Sequence, residues 1–279
     1  MAIISFYSGD TKETGQTLSM AAVATHMAIQ HNYKILCVDA TFDDDSLERC
    51  FWKLNANQAV KALNKGKVDI ANGAEGLVSA IASNKATPEI VTNYTRVVFK
   101  NRLDILCGLK TKIPEEFEKS LMLYKDLVNT ANKYYDFVFI DLDKTLKKDT
   151  TKALLEASTL IVYNFSQSLR QCDLYSQDII EHKNIFTKDK LIPLLSNADD
   201  DSKYNVKNTQ RYLKERRELN QVLYNSNYME AACEAGVANF FLKTRVTKGG
   251  TDKNSLFINS VEGVCKRIEL LLEELKYKY

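Results

Sequence analysis

The chain has 279 residues, 45% of them hydrophobic and 27% charged, with 38 basic against 36 acidic side chains and a formal net charge of +2. That apolar content excludes a disordered chain, and no apolar run approaches the ~20 residues of a membrane-spanning helix; the balanced charge argues against holding nucleic acid by bulk electrostatics. Only 10 Gly and 3 Pro occur, a combined share below the ~12% of average usage, which disfavours a turn-rich all-β protein. The six cysteines, Cys37, Cys50, Cys107, Cys172, Cys233 and Cys265, form no C-x-x-C pair, and the start MAIISFY lacks the charged region of an export signal. They are expected to be reduced core thiols of a cytoplasmic protein. His26, His31 and His182 are scattered and make no zinc constellation.

In chain order, Ala2 to Tyr7 reads as a buried strand, and a polar loop holding Gly9 and Gly15 follows it. Gln16 to about Gln30 has the small and apolar spacing of a helix lying close to a sheet. Lys34 to Asp39 is a second strand, which completes a βαβ unit with a right-handed crossover. Gly76 to Ser83 reads as a helix, Arg102 to Cys107 as a strand, and Glu115 to Lys133 as one long amphipathic helix. Phe137 to Leu142 is apolar on both faces until Asp141, the pattern of a central parallel strand. Helix near Thr150 to Ala157, strand Leu160 to Tyr163, helix Leu169 to Glu181, strand Lys190 to Leu195 and helix Asn205 to Arg216 follow, and an amphipathic helix over Ser260 to Lys276 ends the chain. The alternation predicts an α/β fold: a mostly parallel, doubly wound sheet flanked by helices on both faces. With no repeat and no Pro/Gly/Ser linker, residues 1–279 are expected to form a single domain.

In such sheets ligands sit beyond the carboxyl ends of the strands. Three of those ends carry polar residues: the Gly9–Gly15 loop, Asp39 and Asp141. A loop that opens a helix at Gln16 presents backbone N–H groups and the positive end of the helix dipole, which suits a phosphate. Thr17 offers a hydroxyl to magnesium, and Asp141 a carboxylate. The loop departs from G-x-x-x-x-G-K-[ST]. Gly9, Asp10, Thr11, Lys12, Glu13, Thr14, Gly15, Gln16 and Thr17 place five residues between the glycines, and Gln16 stands where the lysine belongs. Asp10 and Glu13 add negative charge beside the anion, and Lys12 offsets part of it.

Taken in order, the blocks resemble the ParA/MinD family of deviant P-loop ATPases along most of the chain. Gly15, Gln16, Thr17 and Leu18 with the Ala-rich helix stand where that family has Gly-Lys-Thr-Thr. Lys34–Asp39 is similar to its second strand, Arg102–Gly108 to the strand that follows, and Tyr135–Asp141 to its Walker B strand. Leu160–Tyr163 and Leu191–Leu195 fall at later sheet strands. Among family members the chain is most similar to atypical, TadZ-like proteins of pilus and secretion machinery, without the receiver-like domain of some of them.

The resemblance implies a P-loop NTPase fold, ATP or ADP with Mg2+ as cofactor, and a nucleotide-sandwich homodimer that places or organises a larger assembly with a further protein partner. It carries the loop residues Gly9 to Leu18 over as nucleotide-binding. Gly15 and Thr17 match the loop glycine and the magnesium threonine, and Asp39 and Asp141 the two strand-end carboxylates, so Thr17, Asp39 and Asp141 are the metal candidates. Three charged residues do not match. Gln16 replaces the P-loop lysine, Thr11 the dimer-crossing lysine, and Thr41 the water-positioning aspartate. Removing one such group typically costs a few kcal/mol of transition-state stabilisation, so very slow or no hydrolysis is expected. Compensation would come from Lys12 acting across the dimer and from Asp43, Asp44 or Asp45 swinging in; Lys12, Asp39 and Asp43 are the catalytic candidates. The alternative is an active ATPase switch.

Asn197, after a late strand, is the expected adenine contact, with helix capping by Asp201 or Ser202 as the plainer reading. Asp43 to Asp45 read as a solvated cluster with Asp45 capping a short helix over Ser46 to Arg49. Lys214, Arg216 and Arg217, with Lys243, Arg245 and Lys248, form the basis of a less favoured DNA-partitioning reading. The last helix has Val261, Val264, Ile268, Leu271, Leu272 and Leu275 on one side. It is expected to pack on the sheet rather than bind a membrane, since Glu269, Glu273 and Glu274 would repel anionic lipid. Phe51 and Trp52 are expected in the core or at a dimer contact.

Overall fold

The computed structural model describes residues 1–10, 13–54, 73–83, 87–142, 148–244 and 250–277. Thr11, Lys12, Arg245 and Lys248, which the sequence singles out, lie outside the described residues. The strands are β1 (Ala2–Tyr7), β2 (Ile35–Ala40), β3 (Arg96–Phe99), β4 (Leu103–Leu106), β5 (Phe137–Leu142), β6 (Leu160–Phe165), β7 (Leu191–Ala198) and β8 (Asn220–Leu223). They form one sheet in the order β3-β4-β2-β5-β1-β6-β7-β8. Only the β3–β4 pairing is antiparallel among the described residues; every other pairing is parallel.

The helices are α1 (Gln16–Gln30), α2 (Ser46–Arg49), α3 (Ala74–Ala82), α4 (Pro114–Leu121), α5 (Tyr124–Ala131), α6 (Lys148–Ala157), α7 (Leu169–Glu181), α8 (Val206–Leu213), α9 (Ser226–Cys233), α10 (Val237–Thr244) and α11 (Lys253–Lys276). Because strand side chains alternate, each buried strand feeds two cores. Ile4, Phe6, Ile35, Cys37 and Phe139 face α1, α10 and α11, where Ala21, Ala24, Phe241, Val261, Val264 and Ile268 meet them. Ile3, Leu36, Val38, Val138 and Ile140 face the opposite layer, where Leu77, Phe117, Leu127, Leu154 and Cys172 pack. Strands buried on both faces must read as continuous apolar runs, and β1, β2, β5 and β6 are buried at every position.

The structure differs from the sequence reading in several elements. The expected helix over 115–133 is interrupted between α4 and α5, where the Leu123 amide donates to the Ser120 carbonyl at 3.1 Å. Met122 and Leu123 stay near helical angles (φ −56°, ψ −28° and φ −86°, ψ −8°), so a tight 3-10 joint preserves the buried spacing. The last helix begins at Lys253 rather than Ser260, because the Asp252 carboxylate accepts from the amides of Asn254 and Ser255 at 2.9 and 3.2 Å. Asp45 does not cap α2. The amide of Ser46 donates instead to Asp44 at 2.8 Å, and Asp45 pairs with Arg49 one turn on. The cap of α8 is Asn205, which accepts from the Asn208 amide at 3.2 Å, in place of Asp201 or Ser202. All six cysteines are unpaired, but Cys233 is exposed rather than in the core.

Candidate functional site

The carboxyl ends of β1, β2, β5 and β7 meet at the start of α1. Asp39 and Asp141 are direct partners in the parallel β2–β5 register, so both project to the sheet face that α1 covers. Asp39 is 3% exposed and Asp141 1%. Burial, and then the neighbouring Asp141 carboxylate, push Asp39 up to about 7; two bonds from Thr41 oppose the shift without cancelling it. Those bonds come from the Thr41 hydroxyl and amide to Asp39 Oδ1 at 2.6 and 2.9 Å. Gly108 closes the other side, for a Cβ there would stand 2.9 Å from the Asp39 carboxyl.

Gln16 is the first residue of α1, and its side chain turns inward. Its Nε2 donates to Asp141 Oδ1 at 2.6 Å and to the Leu142 carbonyl at 3.1 Å. Both amide hydrogens are thereby used, so the side chain in the lysine position is committed to the Walker B strand. Gly15 holds φ +64° and ends the loop. A Cβ on it would lie 2.8 Å from Ser196 Cβ and 2.9 Å from Asn197 Nδ2, so only glycine lets the loop lie against the end of β7. Asn197 thus stands over Gly15. A buried polar chain reinforces this joint: Ser19 Oγ donates to Ser196 Oγ, and Ser196 Oγ to Asn164 Oδ1, each at 3.1 Å.

At the other end of the loop, a side chain on Gly9 would overlap the Tyr163 hydroxyl, which itself donates to Asp178. Asp10, 7% exposed, is held by both terminal guanidinium nitrogens of Arg170, at 2.9 and 3.3 Å. Glu13 is exposed in left-handed backbone, φ 55°, and Thr14 is buried. Thr17 and Leu18 are half-buried in the first turn of α1. The remaining catalytic candidate, Asp43, stands at φ 49° with its carboxylate 3.7 Å from Lys112. Beside it, the buried Glu48 is bridged by Arg96 and by Lys110 at 2.9 Å, and Arg96 stacks on Trp52 at 3.9 Å. Trp52 is therefore a half-buried wall of this corner and Phe51 a core residue.

Two contacts escape sequence reading. Gln167 donates to the carbonyls of Asp199 and Tyr204 at 2.7 and 3.1 Å and accepts the Asp199 amide at 3.0 Å, which pins the loop after β7. The Arg170–Asp10 pair is the other. A cation in the first turn of a helix opposes the macrodipole, and that misfit was the available signal.

A magnesium nucleotide fits part of this arrangement. Among the described residues no side chain caps α1, so its first-turn amides and the Gly15 turn suit a phosphate. Among the described residues no three His, Cys, Asp or Glu side chains converge as metal ligands; Thr17 and Asp141, together with phosphate oxygens, are the groups that would hold magnesium. The lysine charge is absent, and Gln16 does not replace it. The basic cluster seen in the sequence divides. Arg217 turns inward to Glu215 at 2.9 Å, whereas Lys207, Arg211, Lys214 and Arg216 are exposed on and beyond α8, which carries no acid. The final helix packs as expected, with Val261, Val264, Ile268 and Leu271 buried, and no described helix is long and apolar enough to cross a membrane.

The mostly parallel eight-stranded sheet and the helices on its two faces are those of the ParA/MinD P-loop NTPase fold. The structure is similar to a ParA family ATPase from Chlorobium tepidum TLS (TM-score 0.69, 14% identity, 92% of this chain and 96% of that one). It is similar to the septum site-determining protein MinD complexed with Mg-ADP from Pyrococcus horikoshii OT3 (TM-score 0.67, 16% identity, 97% and 98%). A plasmid partition protein from Borrelia burgdorferi B31 bound to AMPPNP also matches (TM-score 0.61, 17% identity, 100% and 99%). No protein-family model and no curated protein matches the sequence. Identities at this level establish the fold, and function rests on the site's own residues.

Proposed function

We propose that the protein is an atypical, TadZ-like nucleotide-binding member of the ParA/MinD fold, one that binds ATP or ADP with Mg2+ weakly, hydrolyses it slowly or not at all, and acts as a cytoplasmic dimeric localisation or assembly factor, as for a pilus or secretion system. Its whole length is taken as one domain, which agrees with the eight described strands joining one sheet. The observation that carries the reading is Gln16. The amide in the lysine position is bonded to Asp141 and Leu142, which leaves no described cation on the loop to stabilise charge at a transferring phosphoryl group. When bound, Mg2+ would supply charge neutralisation on the phosphate oxygens. The chain itself contributes the amide cradle, the Thr17 hydroxyl and the Asp141 carboxylate.

Calorimetric titration of Mg-ATP into the purified protein, with phosphate release followed in the same sample, tests the reading. Binding without turnover is expected. Turnover abolished by Asp141→Ala would establish the ATPase switch instead, and the absence of any heat would end the nucleotide reading. A second reading, a DNA-partitioning protein, has one observation in its favour: exposed Lys207 and Arg211 at i and i+4 on a helix without acids, with Lys214 at its C-cap. A mobility shift at low salt that weakens steeply as salt is raised would support it, and no shift would remove it.

A further inference from the structure

The candidate loop carries two acids, and Asp10 is buried within it. A buried carboxylate beside a polyphosphate would repel it strongly, since little solvent screens the pair. A counter-charge arrives from another element. Arg170, the second residue of α7, reaches Asp10 with two guanidinium nitrogens at 2.9 and 3.3 Å, the forked geometry that suits a carboxylate. Three features make this contact more than a surface ion pair. The carboxylate is 7% exposed although its partner is 74% exposed. The arginine occupies a first-turn position that the helix dipole disfavours. The same segment also presses Tyr163 and Asp178 on Gly9 and, through Gln167, fixes the loop after β7.

The geometry points to Arg170 as the positioning residue of the phosphate site: it neutralises Asp10 and holds the start of the loop after β1, so that a nucleoside polyphosphate can approach a loop with Gln16 in the P-loop lysine's place. It acts through Asp10 and need not touch the nucleotide. This rests on the nucleotide reading above.

The test is Mg-ATP calorimetry on the full chain and on Arg170→Ala, Arg170→Lys, Asp10→Asn and the Asp10→Asn/Arg170→Ala double variant, with circular dichroism melts to confirm folding. Arg170→Ala is expected to weaken binding about tenfold or more, Arg170→Lys to fall between, and Asp10→Asn alone to bind more tightly than the parent, because the repelling carboxylate is gone. The double variant should recover to within about threefold of the parent, because removing the carboxylate removes the need for its counter-charge. Parent-like binding by Arg170→Ala overturns the inference while leaving the nucleotide reading intact. So does a double variant as weak as Arg170→Ala, which would make the arginine a direct ligand or a merely structural contact. No binding by the parent overturns the nucleotide reading and this inference with it.

Discussion

Gln16 and Asp39 each convert one sequence position into a measurable quantity. Gln16 spends both amide hydrogens on the end of β5; a lysine there would add charge-assisted bonds to phosphate of roughly 1.5–3 kcal/mol. Gln16→Lys is therefore expected to tighten Mg-ADP binding by about tenfold or more in calorimetry, and an unchanged Kd would show that the missing cation does not limit the site. Asp39 gives a pH dependence. Its folded value of about 7 stands above the ~3.9 of an unfolded aspartate, so the folded state alone keeps the proton between those values. The favourable contribution is complete below the unfolded value and is lost as pH rises through the folded one. Asp39→Asn removes that loss. In urea denaturation its stability relative to the parent should climb between about pH 4 and 7 and level off at roughly 1–4 kcal/mol; a pH-independent difference contradicts the assignment.

Among the elements, α11 is the one whose role was most open to dispute. Ile268 is fully buried in the core on the α1 side of the sheet, and Ile268→Ala should cost about 2–5 kcal/mol in denaturant unfolding. A cost below about 1 kcal/mol would mean that the helix is not held on the sheet. The same element marks what a sequence reveals. The buried strands β1 and β5 and the helices α1 and α7 are legible because burial on two faces, or on one helical stripe, imposes an apolar period. By contrast β3, with Arg96 at its start, and β8, with Asn220 and Gln221, are four-residue edge strands only partly buried. Their pairing depends on neighbours rather than on a pattern of their own, so neither was expected. Helices α9 and α10 were missed too, although Asn225 caps the first by accepting from the Tyr228 amide at 2.9 Å. In the site, Gly15, Thr17, Asp39 and Asp141 follow strands in order and could be placed by counting. Arg170 lies 160 residues from Asp10, and no local pattern carries that pairing.

For the whole molecule, the reading of one domain predicts cooperative unfolding. Trp52 is the sole tryptophan and reports on the corner after β2, whereas far-UV circular dichroism averages over all helices. Their urea midpoints should coincide; two separated transitions would divide the chain. The sheet also limits how any larger assembly can be built. Both of its borders are four residues long, and the β3–β4 register shifts between Val97 and Phe99, so neither border offers a regular row of amides and carbonyls for another chain to extend. Such borders disfavour growth of a polymer by adding strands and leave the helices and loops as the broader surfaces for a partner.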